Sequence, residues 1–156
     1  MTNEEFIDLL NRHTQPCNVT LGADLVEVDR DAGTAAMTFV ATRDFCHTNE
    51  SIVQGGFLSG MVDTVMTHAL FAHAGLDIVV PTLEMKVSFL APGAPGTIRG
   101  EGEVVRRGKS IAFLEGSLFN GENTLLVRAS ATARIIPKMA KTAKSGLSEN
   151  RERDQR

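Results

Sequence analysis

One helix-length segment, residues 55–74, constrains this chain more than any other part of its sequence. Its residues, GGFLSGMVDTVMTHALFAHA, are apolar on almost every side of a helix and leave only a narrow polar stripe. A helix of this kind is stable only when it is buried, and Gly75 is well placed to end it. We therefore predict one long buried helix around which the rest of the chain must wrap.

The flanking sequence predicts strands. Residues 19–29 have strand character towards their end, and GTAAMTFVAT at 33–42 alternates on two faces after a turn at RDAG, which predicts a hairpin before the helix. After the helix, LEMKVSFL, TIRGEGEVVRRG, SIAFLEGSLFN and NTLLVRASATARII predict a meander, with a turn signal at Asn120-Gly121. Near the amino terminus, residues 1–14 predict a short helix, because Thr2 and Glu5 have capping-box spacing. The pattern predicts an α+β domain over residues 1–136, with a twisted sheet whose open edges a dimer would cover.

Composition excludes several classes of function. The chain of 156 residues has a formal charge of −3, which disfavours general nucleic-acid binding. It lacks an apolar run long enough to span a membrane and an amino-terminal pattern typical of a signal peptide. Two cysteines without a CxxC motif predict free thiols and a cytoplasmic protein. Residues 137–156 contain six Lys or Arg, three Asp or Glu and almost no large apolar side chain, which predicts a disordered basic tail.

The polar stripe of the predicted helix carries a carboxylate. Residues four apart lie nearly in line on a helix, so Asp63 lies between Ser59 and Thr67 on this stripe. A carboxylate is costly to keep charged on an apolar helix, which makes Asp63 a candidate nucleophile or general base. The alternative is that Asp63 only forms a hydrogen bond with Thr67 or with solvent.

Two glycines begin the same helix. Gly55 and Gly56 have no side chains to shield the free N–H groups of a helix start, where the helix dipole is positive, so a carbonyl oxygen could bind there. A tight turn or close packing would also explain them. Gly55 and Asp63 are eight residues apart, which is roughly 12 Å along a helix. Since both must lie about 3 Å from one reacting group, a site that uses both needs two chains.

An ordered set of motifs resembles a known family. Asn49, QGG at 54–56, Asp63, PTLEMKVSFLAPGAPG and VVRRGKS resemble the hotdog-fold acyl-CoA thioesterases, over roughly residues 19–136. More narrowly, the chain resembles the phenylacetate-pathway and 4-hydroxybenzoyl-CoA thioesterases. The resemblance implies a long central helix wrapped by a five- or six-stranded antiparallel sheet. It also implies homodimers that often pair into homotetramers, with active sites at the dimer interface.

The resemblance also implies roles for individual residues. Asp63 would attack the thioester carbonyl or activate water, and the Gly55 N–H, with Gly56 beside it, would polarise that carbonyl. Asn49 would position water or substrate, although it lies one residue closer to the glycines than the family pattern has it. Gln54 stands where many members have His. The further family hydroxyl that supports the carboxylate matches either Thr67 or Thr82, and the sequence does not choose between them.

The substrate expected from the resemblance is an acyl-CoA, so coenzyme A enters as part of the substrate and no metal or redox cofactor is needed. The turn that would hold its pantetheine arm and phosphates comprises Arg106, Arg107, Gly108, Lys109 and Ser110. Arg106 and Arg107 should lie on opposite faces of a strand, so one of them would serve. A solvated hairpin end is the alternative.

The acyl group would lie in an apolar pocket. Its candidate lining residues, which are also typical core residues, are Phe57, Met61, Met66 and Phe89.

Two other functions fit parts of the pattern. A non-catalytic protein that binds acyl-CoA or acyl chains would share the fold. Asp63 and His68 have the spacing found in hotdog enoyl-CoA hydratases, but five residues turn a helix by about 500°, so the two would not converge. The histidines show no metal-binding spacing, and Ser59 is not in a GxSxG motif.

Overall fold

The computed structural model describes residues 1–139. Its helices are α1 (Asn3–Arg12), α2 (Pro16–Thr20) and α3 (Gly55–Ala74), with a short 3₁₀ helix at Arg43–Phe45. Its strands are β1 (Asp24–Asp29), β2 (Thr34–Ala41), β3 (Cys46–His47), β4 (Ile52–Val53), β5 (Ile78–Val79), β6 (Thr82–Phe89), β7 (Gly96–Arg107), β8 (Ile111–Phe119), β9 (Leu125–Arg134) and β10 (Ile136–Pro137). Six of these strands form one antiparallel sheet in the order β1-β2-β7-β8-β9-β6.

The sheet wraps around α3, as the sequence predicts. The helix packs on β2, β7, β8 and β9 and buries Leu58, Met61, Val62, Val65, Met66, Ala69, Leu70 and Ala72. Two strand glycines allow the close approach, because a Cβ atom at Gly102 would lie 2.6 Å from the Val65 carbonyl oxygen and one at Gly116 would lie 2.7 Å from Met66 Cγ. Gly75 ends α3 with φ 89°, as expected. The predicted α+β architecture is confirmed, with six strands in the main sheet.

The strand order differs from a simple meander. Strands β7, β8 and β9 follow one another as predicted, but β6 lies beside β9 instead of β7. Strand β7 instead pairs with β2 along eight residues, from Thr34 opposite Glu103 to Ala41 opposite Gly96. This crossover joins the amino-terminal hairpin to the later strands, so one continuous sheet can enclose α3. It also leaves β6 at an edge of the main sheet.

The other edge strand, β1, is covered by α1. The predicted capping box is present in α1, and Phe6 from this helix is buried in the core. The side chain of Asn11 forms two hydrogen bonds with the backbone of Leu25, one donated by Nδ2 and one accepted by Oδ1, each of 2.9 Å. Asn11 therefore occupies backbone groups of β1 that another strand would use. Such protection is a common way to stop edge-to-edge pairing.

The chain beyond the main sheet packs back near the end of α3. Ile136 pairs with Val79 and Pro137 with Ile78, and Lys138 Nζ donates to the carbonyl of Leu76. Residues 140–156, most of the predicted basic tail, lie outside the described residues.

Candidate active site

The polar stripe of α3 is half-buried, and most of its side chains bond within the helix. The hydroxyls of Ser59, Thr64 and Thr67 donate to backbone carbonyls three or four residues earlier. Such local bonds satisfy the hydroxyl without reaching another element. Asp63 differs, because its carboxylate is bonded to a residue of the sheet. The stripe therefore presents one acid towards β6.

Thr82, the first residue of β6, is the partner of Asp63. Its hydroxyl donates to Asp63 Oδ1 over 2.7 Å. A hydrogen bond to a charged acceptor is shorter and stronger than one between neutral groups, so it fixes the orientation of the carboxylate. Between the two hydroxyls that the sequence left open, the structure places Thr82 on Asp63, while Thr67 donates to the Thr64 carbonyl over 2.9 Å. Within residues 1–139, Asp63 Oδ2 has no hydrogen-bond donor.

Gln54 caps the amino terminus of α3. Its Oε1 accepts from the N–H of Gly56 over 2.6 Å, and its backbone carbonyl accepts from the N–H of Phe57. The N–H of Gly55 has no acceptor within the described residues. This free N–H lies at the positive end of the helix dipole, where it can donate to an anionic or polarised oxygen. Of the two glycines, Gly55 is thus the available donor, and Gly56 is already bonded.

A cavity of about 380 Å³ opens beside Gly55. Its walls come from the start of α3, from β3 and β4, and from the end of β6 and the turn that follows it. The lining residues are His47, Ile52, Val53, Gly55, Leu58, Phe89, Leu90, Ala91, Pro92 and Gly93. Apart from His47 the lining carries no ionisable side chain, which suits an apolar group next to the free N–H. The sequence predicted Phe89 as a pocket residue but not His47 or Leu90. Alternation along a strand shows which residues share a face, but it does not show which of them lie beside the start of a helix.

Phe89 closes over Gly55. A Cβ atom built on Gly55 would lie 2.9 Å from Phe89 Cζ and 3.2 Å from Cε1, closer than side chains pack. The absence of a side chain at Gly55 therefore allows the ring to lie against the helix start. Close packing and a free N–H, which the sequence offered as alternatives, both occur at this one residue.

Asp63 and Gly55 lie far apart within one chain. Along α3 they are separated by roughly 12 Å. They also contact opposite ends of β6, since Asp63 bonds to its first residue and Gly55 packs on its last. Those ends are about 20 Å apart at the rise of a β-strand. One chain does not bring the acid and the donor together.

The basic turn lies at the end of β7. Arg106 and Arg107 are both exposed and form no ion pair within residues 1–139. Arg107 pairs with Ala112, which is fully buried, whereas Arg106 pairs with Phe113, which is 49% exposed. Since directly opposed residues share a face, Arg107 lies on the face that carries α3 and Arg106 lies on the outer face. Gly108, Lys109 and Ser110 form the exposed turn, which the Gly108 N–H closes by donating to the Ile111 carbonyl.

Three further predicted residues do not line the cavity beside Gly55. Asn49 is exposed in the loop between β3 and β4, where residues 48–50 all have positive φ, and its own φ is 55°. Phe57 stacks on Phe45 with 4.3 Å between ring centroids. Met61 has no exposed surface and belongs to the core. Of the two roles that the sequence allowed for Met61, pocket lining or core, the structure therefore supports the core.

His68 does not face Asp63 in a catalytic pair. Its Nδ1 donates to the Thr64 carbonyl over 2.8 Å, and its ring meets Phe71 edge-on with 6.0 Å between centroids. Burial lowers the pKa of His68 below 6.5, and the hydrogen bond to Thr64 opposes this in part. These contacts make His68 a packed residue of the helix. Among residues 1–139, no three His, Cys, Asp or Glu side chains are grouped to hold a metal ion.

The comparisons with known proteins agree on one family. The model of the thioesterase superfamily matches residues 50–127, which include Gly55, Asp63 and Thr82. Among solved structures, a phenylacetic acid degradation-related protein from Ralstonia eutropha JMP134 is 30% identical with a TM-score of 0.75, over 83% of this chain and 98% of that one. No curated protein sequence matches the chain significantly.

Two more distant structures share the fold. The PaaI protein from the phenylacetic acid degradation operon of E. coli is 19% identical with a TM-score of 0.75, over 86% of this chain and 94% of that one. A thioesterase from Haemophilus influenzae is 16% identical with a TM-score of 0.75, over 91% and 95%. In the part of this chain that the structure describes, no helix is long and apolar enough to cross a membrane.

Proposed function

The chain belongs to the thioesterase superfamily, and on that premise we propose that it hydrolyses acyl-CoA thioesters at active sites shared by two copies of the chain. The observation that carries the proposal is the hydrogen bond of 2.7 Å from Thr82 Oγ1 to Asp63 Oδ1. It orients a carboxylate on a helix that is apolar on almost every side outside its narrow polar stripe. Hydrolysis adds water across the thioester, so the products are a free acid and coenzyme A. The reaction needs an attacking oxygen, a donor to the carbonyl oxygen and a binding site for each half of the substrate.

Asp63 would supply the attack in one of two ways. As general base it takes a proton from water, whose oxygen then bonds to the carbonyl carbon. As nucleophile its own oxygen bonds to that carbon, and water later hydrolyses the resulting anhydride. In either case the C–S bond breaks and the sulfur leaves as the thiolate of coenzyme A, which takes a proton from Asp63 in the first route and from water in the second. The hydrogen bond from Thr82 leaves Oδ2 free for this role.

Gly55 would stabilise the charge that forms on the carbonyl oxygen. Its free N–H lies at a helix start, so both the hydrogen bond and the helix dipole favour negative charge there. Gln54 would support Gly55 indirectly, because its hydrogen bond with the Gly56 N–H fixes the first turn of the helix. Asn49 would position water or substrate from its exposed loop.

The open edge of the sheet supports a dimer that unites the two groups. Among residues 1–139, strand β6 pairs only with β9, whereas the other edge, β1, is occupied by Asn11. Two β6 strands paired antiparallel about a two-fold axis would bring the Thr82 end of one copy against the Phe89 end of the other. Asp63 of one chain would then approach Gly55 of its partner. Such a homodimer would become a homotetramer only through further contacts between two dimers.

The basic turn would bind the nucleotide half of coenzyme A. Arg107, Ala112, Ala133 and Thr82 are successive partners across β7, β8, β9 and β6. Three strand spacings put Arg107 about 14 Å from Thr82 on the face that carries α3. The pantetheine arm separates the phosphates of coenzyme A from its sulfur, so such a distance suits it. Lys109 and Ser110 would add ammonium and hydroxyl donors at the same turn, whose shape Gly108 fixes through its N–H bond to the Ile111 carbonyl.

Release of thiol from a panel of acyl-CoAs tests the proposal. We expect turnover of at least one member, and a loss in kcat/KM of about 10²- to 10⁴-fold in Asp63→Asn and Asp63→Ala. Asp31→Asn, in an exposed turn, is the matched control and should keep wild-type turnover. Binding of acyl-CoA without release from any member would overturn the proposal in favour of a non-catalytic binding protein. Unchanged turnover in both Asp63 variants would remove Asp63 from the mechanism.

A further inference from the structure

The edge strand β6 carries one acid and one base on the outer face of the sheet. Met85 lies opposite Ala131, which is buried, so Met85 lies on the face that carries α3. Glu84 and Lys86 flank Met85 in the sequence and therefore lie on the outer face. Both are exposed, and within residues 1–139 neither forms an ion pair.

The neighbouring strand β9 offers no charge to either residue. Glu84 lies opposite Thr132 and Lys86 lies opposite Ser130, which are both neutral. A lysine on an edge strand often prevents another strand from pairing there. An acid two residues before the lysine changes this, because an antiparallel second copy presents the two charges in the reverse order. The free edge of β6 is therefore complementary to itself.

Alternation limits the registers in which two β6 strands can pair about a two-fold axis. Directly opposed residues share a face, and Met85 and Lys86 lie on different faces, so the axis must pass through one residue position and not between two. With the axis at Glu84 or at Lys86, two like charges would lie directly opposite each other, which is destabilising. With the axis at Val87, Lys86 would lie opposite Ser88. With the axis at Met85, Glu84 of each copy lies opposite Lys86 of the other.

We propose that two copies of the chain pair through β6 with Met85 on the two-fold axis and with two ion pairs, each between Glu84 of one copy and Lys86 of the other. This inference rests on the dimer of the proposed function and assigns its register. The half-buried Met85 side chains would meet at the centre, on the face that carries α3.

This register also suits the shared active site. Phe89 lies four residues after the axis, so it faces the position four residues before it in the other copy, which is Pro81. Thr82, which binds Asp63, follows directly. Since Phe89 packs on Gly55, the register brings the carboxylate of one copy towards the free N–H of the other.

Cysteine cross-linking tests the register. Opposed residues of antiparallel strands have Cα atoms about 4.5–5.5 Å apart, which is within the span of a disulfide. In chains that carry Cys17→Ser and Cys46→Ser, we expect Met85→Cys to give a disulfide-linked dimer under mild oxidation. Val87→Cys, on the same face, is the matched control and should give none, because its two copies would lie about 13 Å apart along the strands. A linked dimer from Val87→Cys, or none from Met85→Cys, would overturn the register.

Charge reversal tests the ion pairs. Lys86→Glu would place two acids opposite each other in both pairs, so the dissociation constant of the dimer, measured by sedimentation, should rise about tenfold or more. Glu84→Lys combined with Lys86→Glu exchanges the two charges and should restore the wild-type value. Glu103→Lys, three strands away on the same face, is the control and should have no effect. An unchanged dissociation constant in Lys86→Glu, or no recovery in the double variant, would overturn the ion pairs.

These outcomes separate the interface from the reaction. A dimer linked at Met85 that releases thiol from no acyl-CoA would overturn the proposed thioesterase and leave the interface in place. Thioester hydrolysis by a dimer of another register would do the reverse. A wild-type chain that sediments as a monomer would overturn the interface and the shared site together. Circular dichroism of each variant shows whether it has kept its fold.

Discussion

Thr82 Oγ1 lies 2.7 Å from Asp63 Oδ1 and joins the first residue of β6 to the middle of α3. The bond fixes the carboxylate at one end of β6, while Gly55 lies against Phe89 at the other end. An edge strand therefore connects the two halves of the candidate site. This arrangement leads to the following predictions.

Loss of the Thr82 hydroxyl should slow turnover. A hydrogen bond to a charged group contributes about 1.5–3 kcal/mol, so Thr82→Val should lower kcat about 10- to 100-fold with little change in KM. Thr82→Ser keeps the donor and should recover most of the rate. Thr67→Val is the control, because the Thr67 hydroxyl is bonded to its own helix. Equal losses in Thr82→Val and Thr67→Val would show that the Thr82 hydroxyl has no special role.

The Gly55 N–H can be removed without removing the helix. Gly55 is the first residue of α3, a position where proline is well tolerated, so Gly55→Pro deletes the donor and keeps the helix start. Gly55→Ala keeps the donor but adds the Cβ atom that meets Phe89. The change in kcat for Gly55→Ala therefore gives the effect of that steric clash without loss of the N–H. We expect kcat for Gly55→Pro to fall about 10²-fold below that for Gly55→Ala, as for loss of one oxyanion donor. Similar kcat values for the two variants would argue against Gly55 as the donor.

The two arginines of the basic turn should differ. Arg107→Ala should raise KM for acyl-CoA by roughly fivefold, since an exposed charge contact contributes about 1 kcal/mol. It should not change KM for the corresponding acyl-pantetheine, which lacks the nucleotide phosphates. Arg106→Ala is the matched control on the outer face and should leave both KM values unchanged. The opposite result would mean that coenzyme A binds on the outer face of the sheet.

Acid should destabilise the protein in part through His68. Burial holds the pKa of His68 in the folded protein below its ordinary value of 6.5, so the unfolded chain takes up this proton at a higher pH. The stability that neutral His68 contributes is therefore complete above pH 6.5 and is lost as the pH falls below it. Urea unfolding at pH 7.5 and pH 5.0 should show a smaller loss of unfolding free energy for His68→Gln than for wild type. An equal loss would mean that His68 is not a source of acid sensitivity.

Much of the fold could be predicted because it depends on local pattern. The apolar run of α3, its glycine start and Gly75 after its end define the central helix, and the charge of Asp63 on that helix marks the site. The place of β6 could not be predicted, because a strand next to β9 depends on closing the sheet around α3 and not on any local signal. The hydrogen-bond partner of Asp63 could not be chosen from the sequence for a similar reason. Thr67 is near Asp63 in sequence, whereas Thr82 is near it only in the folded chain.

The start of α3 also depends on contacts that the local sequence does not show. Gly55 and Gly56 look alike in the sequence, but Gln54 bonds to the N–H of Gly56, and Phe89 packs on Gly55. Which N–H is free depends on a side-chain rotamer and on a strand more than thirty residues away. Spacing nevertheless predicted that Gly55 and Asp63 of one chain do not meet, since the length of a helix is fixed by its residue count.

The sharing of each active site by two chains is the central claim, and hybrid dimers test it most directly. Asp63→Ala and Gly55→Pro chains with different affinity tags would be co-expressed, and the dimers that contain one of each would be purified through both tags. If Asp63 of one chain works with Gly55 of the other, each hybrid has one intact site and should recover about half of the wild-type thioesterase activity per dimer. If both residues serve the site of their own chain, the hybrid should be no more active than the two parent variants, and that result would contradict the account.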